Sequence, residues 1–348
     1  MKRPVLVVGC PRSGTTLLYS LLVAAGGFAF YRKETYFFDC VRRFPNLSTP
    51  GARERFVARF TEGYLGKVPG LDVVPLVREA VAQCRAPEEV LPLLMNAITR
   101  TQGMTRWVEG TPSHVLYLPE IKRAIPDALF VHVIRDGRDA AISNVKQGWP
   151  RALPWDRSRR LGVAALYWEW MVNRGRVYTR THPEHCLELR FEDLIVNPRG
   201  TLARVGAFID HDLDYDWIQR NPVHAMFSPN TSFRNERKRA DFNPVSRWKV
   251  KMTDEDLRLC EALIGPLLRD LGYPLAHPDD GVGARARFMR AAYMPYFSGK
   301  QFVKAQTALG RFVTKTTVWA EQPREGERAV RPIPPAAVAP PKAAVGRA

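Results

Sequence analysis

The sequence predicts an α/β fold: a mostly parallel central sheet covered by helices on both faces, in three layers. Apolar runs of strand length alternate with stretches of helical periodicity. Leu129-Phe130-Val131-His132-Val133-Ile134 is apolar except for His132, as a strand buried on both faces should be. The 348 residues, 45% of them hydrophobic and 25% charged, suffice for one large domain of this kind.

The first strand is Val5-Leu6-Val7-Val8. A turn rich in Gly, Pro and Ser follows, then a helix from about Thr15 to Ala25, where Leu17, Leu18, Leu21 and Leu22 fall at helical spacing. Gly26-Gly27 stop it, and Phe28 to Tyr31 form a second strand. Residues from about 40 to 105 read as mostly helical, broken by Pro and Gly. Arg106 to Glu109 is a short strand. The strand over 129–134 leads into a helix over about 138–146, and another helix spans about 162–178. Cys186 to Arg190 alternates as a strand, and a helix covers about 198–208. The segment from about Gly281 to Val318 is basic and amphipathic, with Phe288, Tyr293, Tyr296, Phe297 and Phe302. It reads either as a packed C-terminal cap or as a surface lying on a membrane or partner. From about Gln322 the chain is rich in Pro, Ala and Arg, the composition of a disordered tail. The expected organisation is a main domain over 1–280, a cap over 281–321 and a tail over 322–348.

The formal charge of +17 favours anionic partners such as nucleotides, acidic sugars, nucleic acid or a membrane surface, without choosing among them. A GC-rich coding composition produces the same excess. The five cysteines (Cys10, Cys40, Cys84, Cys186 and Cys260) are widely spaced and contain no CxxC pair. That pattern argues against a disulfide framework or a zinc site and fits a reducing compartment. No signal peptide and no apolar run of spanning length is visible, so the expectation is a cytoplasmic protein without a transmembrane segment.

Gly9-Cys10-Pro11-Arg12-Ser13-Gly14-Thr15-Thr16 lies between the first strand and the first helix. It has the phosphate-loop spacing GxxxxG in the strand–turn–helix context that aims backbone N–H groups at an anion. Ser13, Thr15 and Thr16 add hydroxyls. Thr15 stands where a nucleoside triphosphatase carries Lys, so Arg12 supplies the loop's cation. A second candidate follows the strand over 129–134: Arg135-Asp136-Gly137-Arg138-Asp139, with Ser143 in the next helix. Arg135 offers a fork to phosphate and Ser143 a hydroxyl. An ion pair of Arg135 with Asp136 or Asp139 is the other use of the same residues. Both candidates fall at the carboxyl ends of strands, where open α/β sheets bind ligands.

Pro11-Arg12-Ser13-Gly14-Thr15-Thr16-Leu17 resembles the 5′-phosphosulfate loop of the sulfotransferases that use 3′-phosphoadenosine-5′-phosphosulfate (PAPS), written PKSGTT or PRSGTT there. The resemblance covers roughly residues 4 to 272 and implies a P-loop-type three-layer α/β/α sandwich with a central parallel sheet. It implies that Arg12 stabilises charge on the leaving phosphate, and that Arg135 and Ser143 bind the 3′-phosphate. Phe191-Glu192-Asp193-Leu194 is similar to the family's YEDL segment, which puts Phe191 near adenine; Glu192 and Asp193 read as helix-capping or Arg-pairing groups. Arg247-Trp248-Lys249 is similar to the GDWK or GRWK segment that closes over the cofactor. Among Arg234, Arg237, Lys238 and Arg239 no single 3′-phosphate ligand is assigned. Glu34, in Glu34-Thr35-Tyr36-Phe37-Phe38-Asp39, resembles the ExHFFD segment of heparan-type members and becomes the first candidate for general base, with His114 the second. Gly110 departs from the EKTP pattern of that branch, whose Lys assists catalysis, leaving Arg12 or Lys33 to supply the charge.

The implied reaction moves a sulfuryl group from PAPS to a hydroxyl or amine of a carbohydrate, lipid or other small molecule, with no metal and no nucleic-acid partner. The aromatic residues Trp149, Trp155, Tyr167 and Trp168 read as packing before they read as an acceptor platform. Two other classes fit parts of the pattern: a P-loop kinase or nucleotidase, and a non-catalytic basic binding protein on the same scaffold.

Overall fold

The computed structural model describes residues 1–31, 34–41, 49–63, 71–84, 86–153, 156, 160–220, 243–307 and 309–310. The first strand β1 (Val5–Gly9) leads into helix α1 (Thr15–Ala25), and β2 (Phe28–Phe30) precedes the short α2 (Phe37–Cys40). Then come α3 (Pro50–Gly63), α4 (Val73–Gln83), α5 (Val90–Thr101), β3 (Arg106–Glu109), α6 (Leu118–Ala124) and β4 (Leu129–Ile134). They are followed by α7 (Gly137–Lys146), α8 (Arg160–Thr181), β5 (Cys186–Arg190), α9 (Phe191–Val196), α10 (Pro198–Ile209) and α11 (Tyr215–Arg220). After residue 242 the described chain continues with α12 (Trp248–Lys251), α13 (Asp254–Asp270) and α14 (Ala284–Gln306). The expected tail over 322–348 lies outside the described residues, as does the end of the expected cap.

The five strands form one sheet in the order β2-β3-β1-β4-β5, and every pairing is parallel. The mixed α/β sandwich expected from the sequence is therefore present. Parallel strands buried on both faces alternate their side chains between two cores. From β1, Leu6 and Val8 join the core under α5, α8 and α13, while Val5 and Val7 join the core under α1 and α10. From β4, Phe130 and Ile134 face the first core, and Val131 and Val133 the second. With all strands running one way, their carboxyl ends share one edge, and the five connections leaving that edge carry the candidate functional residues.

The polar interruption in β4, His132, is fully buried, and neither ring nitrogen has a hydrogen-bond partner among the described residues. Its ring lies against the backbone of α8 at Gly175, where a Cβ atom would come within 2.5 Å of the imidazole. Burial lowers its pKa to about 4. The folded protein thus keeps His132 neutral, while the unfolded chain protonates it near the ordinary value of about 6.5. Below that pH the unfolded state binds the extra proton, so stability falls as pH drops from 6.5 toward 4. Denaturant unfolding of wild type against His132→Leu is expected to display this as a loss of up to about 3 kcal/mol in wild type that the variant lacks. Parallel pH profiles for the two proteins would disprove it.

Candidate active site

The loop between β1 and α1 supplies the centre. Arg12 sits in the left-handed region at φ +77°, a conformation non-glycine residues seldom adopt, and Gly14 follows at φ +92°. A Cβ on Gly14 would lie 2.2 Å from the Phe191 ring, so only glycine fits there without displacing that ring. The loop is held from α7: Asn144 Nδ2 donates to the Pro11 carbonyl at 3.2 Å, and Arg12 Nε donates to Ser143 Oγ at 3.0 Å. Among the described residues, the buried Ser13 Oγ has no hydrogen-bond partner. No side chain caps the N-terminus of α1. A buried hydroxyl without a partner beside an uncapped helix start fits an anion in the loop. Thr15 is buried and Thr16 exposed.

Arg135 leaves the end of β4 and is buried. It donates to the Arg12 carbonyl at 3.2 Å and to the Pro244 carbonyl at 2.6 Å, and it pairs with Asp139 at 3.5 Å. Its guanidinium also lies 4.8 Å from the centre of the Phe191 ring. Phe191 is therefore wedged between Gly14 and Arg135, buried and fixing both. The ion pair read as an alternative for Arg135 coexists with its place beside the loop. Asp136 is taken up elsewhere, by Arg138 at 2.7 Å.

Arg12 feels the charge of Arg135, and Arg135 that of Arg247. Burial lowers the Arg12 pKa to about 10, with the charge of Arg135 adding to the effect and that of Glu34 opposing it. Arg135 is lowered mainly by burial and further by Arg247. Cations gathered this closely favour a multiply charged anion. Asp139 ties the cluster to the segment after residue 242, accepting from the Trp248 backbone N–H at 2.8 Å while pairing with Arg135. Trp248 is buried with the Arg138 guanidinium 3.8 Å from its ring centre, whereas Lys249 is exposed. The structure thus brings Arg247 toward the site and uses Trp248 as an anchor. Arg32, Lys33, Trp155, Arg234, Arg237, Lys238 and Arg239 lie outside the described residues.

Glu34, beyond β2, has its carboxyl pushed up to about 7 by burial, with the charge of Glu109 adding to the shift and Tyr36, His114 and Arg12 opposing it. Behind it sits a polar cluster from the end of β3. Glu109 accepts from Thr35 Oγ1 at 2.9 Å, from the Thr111 backbone N–H at 3.1 Å, and from the Thr111 hydroxyl. His114 is fully buried: Nδ1 lies 3.0 Å from Glu109 Oε2, and Nε2 accepts from the Phe38 backbone N–H at 3.4 Å. Both ring nitrogens are engaged in this way, so His114 braces the turn that carries Glu34. Gly110 packs on Tyr19, where a Cβ would lie 2.8 Å from the ring. A lysine at this position would need Tyr19 to move.

Several site residues serve uses that the sequence did not show. Glu192, expected to cap a helix or pair with Arg, instead accepts from the Asp136 backbone N–H at 2.9 Å and from the Tyr273 hydroxyl at 2.7 Å, and so braces the turn after β4. Asn197 caps α10. Asn144 carried only a generic polar signal, whereas Asp139 was expected as an ion-pair partner of Arg135 and is one. Asp39 accepts from Ser113 at 2.5 Å and from Lys304 at 2.5 Å, which joins α14 to the segment beginning at Glu34.

A family model described as "Sulfotransferase family" matches residues 4–216. Two nematode proteins, each named "Putative protein-tyrosine sulfotransferase", are similar to this chain. The Caenorhabditis elegans protein is 22% identical over 174 residues, 48% of this chain and 66% of its own length. The Caenorhabditis briggsae protein is 23% identical over 281 residues, 77% of this chain and 88% of its own length. Among solved structures, the sulfotransferase domain from the curacin biosynthetic pathway superposes with a TM-score of 0.53 at 18% identity, covering 79% of this chain and 99% of that domain; the likeness is one of fold.

The pair Asp39–Lys304 is mostly shielded from water. Removing its cation strands a buried carboxylate, so Lys304→Met is expected to lose about 3 kcal/mol of unfolding free energy. The double variant Asp39→Asn/Lys304→Met should recover most of that loss, and a double variant as unstable as the single one would show the pair is not the cause.

Proposed function

Because the chain belongs to the sulfotransferase family, we propose that it transfers a sulfuryl group from PAPS to a hydroxyl or amine of a carbohydrate, lipid or other small molecule, with Glu34 as general base. The observation that carries the reading is the position of Arg12. Its side chain bonds Ser143, its carbonyl accepts from Arg135, and its charge is felt by Glu34. One residue thereby links the candidate 3′-phosphate pair, the phosphate loop and the candidate base.

Bound PAPS supplies a sulfuryl group joined to a phosphate that leaves with the negative charge. In-line transfer of this type needs little covalent help and much charge stabilisation. Arg12 and the backbone N–H groups of residues 14–16 stabilise charge on the departing 5′-phosphate. Arg135 and Ser143 hold the 3′-phosphate, with Arg247 close enough to join them. Phe191 packs against Arg135 beside the loop and lies toward the adenine. Trp248, held by Asp139 and Arg138, anchors the segment that carries Arg247 and Lys249. A carboxylate with a pKa of about 7 is half ionised at neutral pH and basic enough to take the acceptor's proton. The packing of Tyr19 on Gly110 supports Arg12 as the cation that heparan-type members draw from lysine.

Calorimetric titration with adenosine 3′,5′-bisphosphate in EDTA tests the donor site. Micromolar metal-free binding is expected, weakened about tenfold or more by Arg135→Ala, the scale of a lost charged hydrogen bond. Absence of binding, alongside Mg²⁺-dependent binding of ATP, would replace this reading with a kinase or nucleotidase.

The base has its own test, using the best acceptor from a screen of phenols, sugars and amines. Since Glu34 must be ionised to act, kcat/KM should rise with pH through an apparent pKa near 7. Glu34→Gln should lower kcat about 10²–10⁴-fold and remove that acid limb while leaving affinity for the bisphosphate within a few-fold. An unchanged limb in the variant would exclude Glu34 as the base.

A further inference from the structure

We propose that the outward face of α14 docks on an anionic lipid bilayer. The inner face of this helix is fully engaged. Ala286, Met289, Tyr293 and Phe297 recur every three or four residues and are buried in the core beneath α8 and α13. Arg290 on the same side pairs with Glu169 at 2.6 Å, and Lys304 pairs with Asp39.

The opposite face has a different composition. Phe288 and Phe302 are 72% and 61% exposed. Fourteen residues separate them, close to four turns, so both project from one side of the helix. Between them on that side stand Ala291 and Pro295, with Ala284 one turn before Phe288, all exposed. The face therefore carries two large aromatic groups on a smooth apolar stripe. Single exposed apolar residues are ordinary, but two phenylalanines aligned on one helix are a surface feature in need of a partner. Exposed Arg285 and Arg287 flank the stripe on its two sides, and exposed Lys300 lies further round.

Charge selects the partner. From Gly281 to Ala320 the sequence holds seven Lys or Arg residues and no Asp or Glu; Arg290 and Lys304 are engaged on the inner face, and Arg285, Arg287 and Lys300 remain exposed on α14. A second copy of the same face would bring these cations together with no acid on the stripe to offset them. An anionic bilayer complements both parts of the surface, its headgroups meeting the cations and its acyl boundary receiving the aromatic rings. This orientation lays the helix in the interface plane. It does not require a spanning segment, and none of the described helices is long and apolar enough to cross a membrane.

The test is co-sedimentation of the full chain with large vesicles of phosphatidylcholine alone or with about one-third phosphatidylglycerol, a fraction chosen to give a negative surface potential of the kind that draws basic segments. Binding at least tenfold tighter to the anionic vesicles is expected, weakening with added salt. Phe288→Ser/Phe302→Ser should reduce that binding about tenfold or more, and Arg285→Glu/Arg287→Glu should remove the preference for anionic lipid. These four side chains are exposed, so far-ultraviolet circular dichroism and the thermal midpoint should match wild type; a loss of binding with both unchanged is attributable to the surface. Three results would overturn the proposal: no binding to either vesicle, wild-type binding by the double phenylalanine variant, or a concentration-dependent dimer that this variant dissolves. The last would assign the face to a second copy of the chain.

Discussion

The site depends on one constraint: every strand of the sheet runs in the same direction. Parallel pairing brings five carboxyl ends to a single edge, and each delivers a different part. The connection after β2 carries Glu34, that after β3 the Glu109–His114 brace, and that after β1 the phosphate loop. Arg135 leaves β4 and Phe191 leaves β5. Because β1 lies between β3 and β4, the loop with Arg12 lies between the candidate base on one side and the candidate phosphate pair on the other. Antiparallel insertion of any one strand would send its connection to the far edge and remove its part. The order of parts across the edge thus follows from backbone hydrogen bonding before any side chain is considered.

Gathering Arg12, Arg135 and Arg247 at that edge is costly, because their charges repel and two of them are largely removed from water. Fixed partners offset the cost. Arg135 donates to two backbone carbonyls and pairs with Asp139, and Arg12 donates to Ser143. Asp139 works in two directions, since its other oxygen holds the Trp248 backbone N–H. Cations fixed in this way need little rearrangement when negative charge develops beside them, which is the condition for effective electrostatic stabilisation. The carboxylate side follows the same logic in reverse. Glu109, surrounded by Thr35, Thr111 and His114, is held below the ordinary carboxylate range despite burial. Its fixed negative charge adds to the burial that raises Glu34. Two nearby carboxyl groups are pushed apart in pKa: burial raises Glu34 to about 7, while the charge of His114 and the surrounding hydrogen bonds lower Glu109.

Much of this was legible in the sequence wherever the signal was local. The central strands β1 and β4 were readable because apolar runs buried on both faces tolerate almost no polar residue, and the exception in β4, His132, is accommodated by the missing side chain at Gly175. The phosphate loop was readable because the strand, glycines and helix start lie within a dozen residues. Helix α13 was not assigned, although Thr253 caps it by accepting from the Asp256 backbone N–H, because Pro266 inside it breaks the usual helical signal. The supporting contacts were beyond local reading. Asp39 and Lys304 are 265 residues apart, Arg138 and Glu261 are 123 apart, and each looks in sequence like an ordinary surface charge. The turn from Phe191 to Leu194 was recognised by its residues but not by its use. Glu192 was free to brace the turn after β4 because Asn197 already caps the next helix.

Helix α14 shows how the periphery reaches the chemistry. On its inner side Lys304 pairs with Asp39, five residues after Glu34, and Asp39 also accepts from Ser113, the neighbour of His114. On its outer side stand the exposed phenylalanines. An α-helix with its side chains is about 10 Å across, so a surface covering that outer face would lie one helix away from the segment that carries the base. The two faces are nevertheless chemically separable. Changes at Phe288 or Phe302 touch solvent-exposed groups, whereas changes at Lys304 strand a buried carboxylate beside the Glu34 turn. A defect in surface binding and a defect in folding or proton transfer therefore arise from different residues of the same helix, and the helix joins them only as a rigid body.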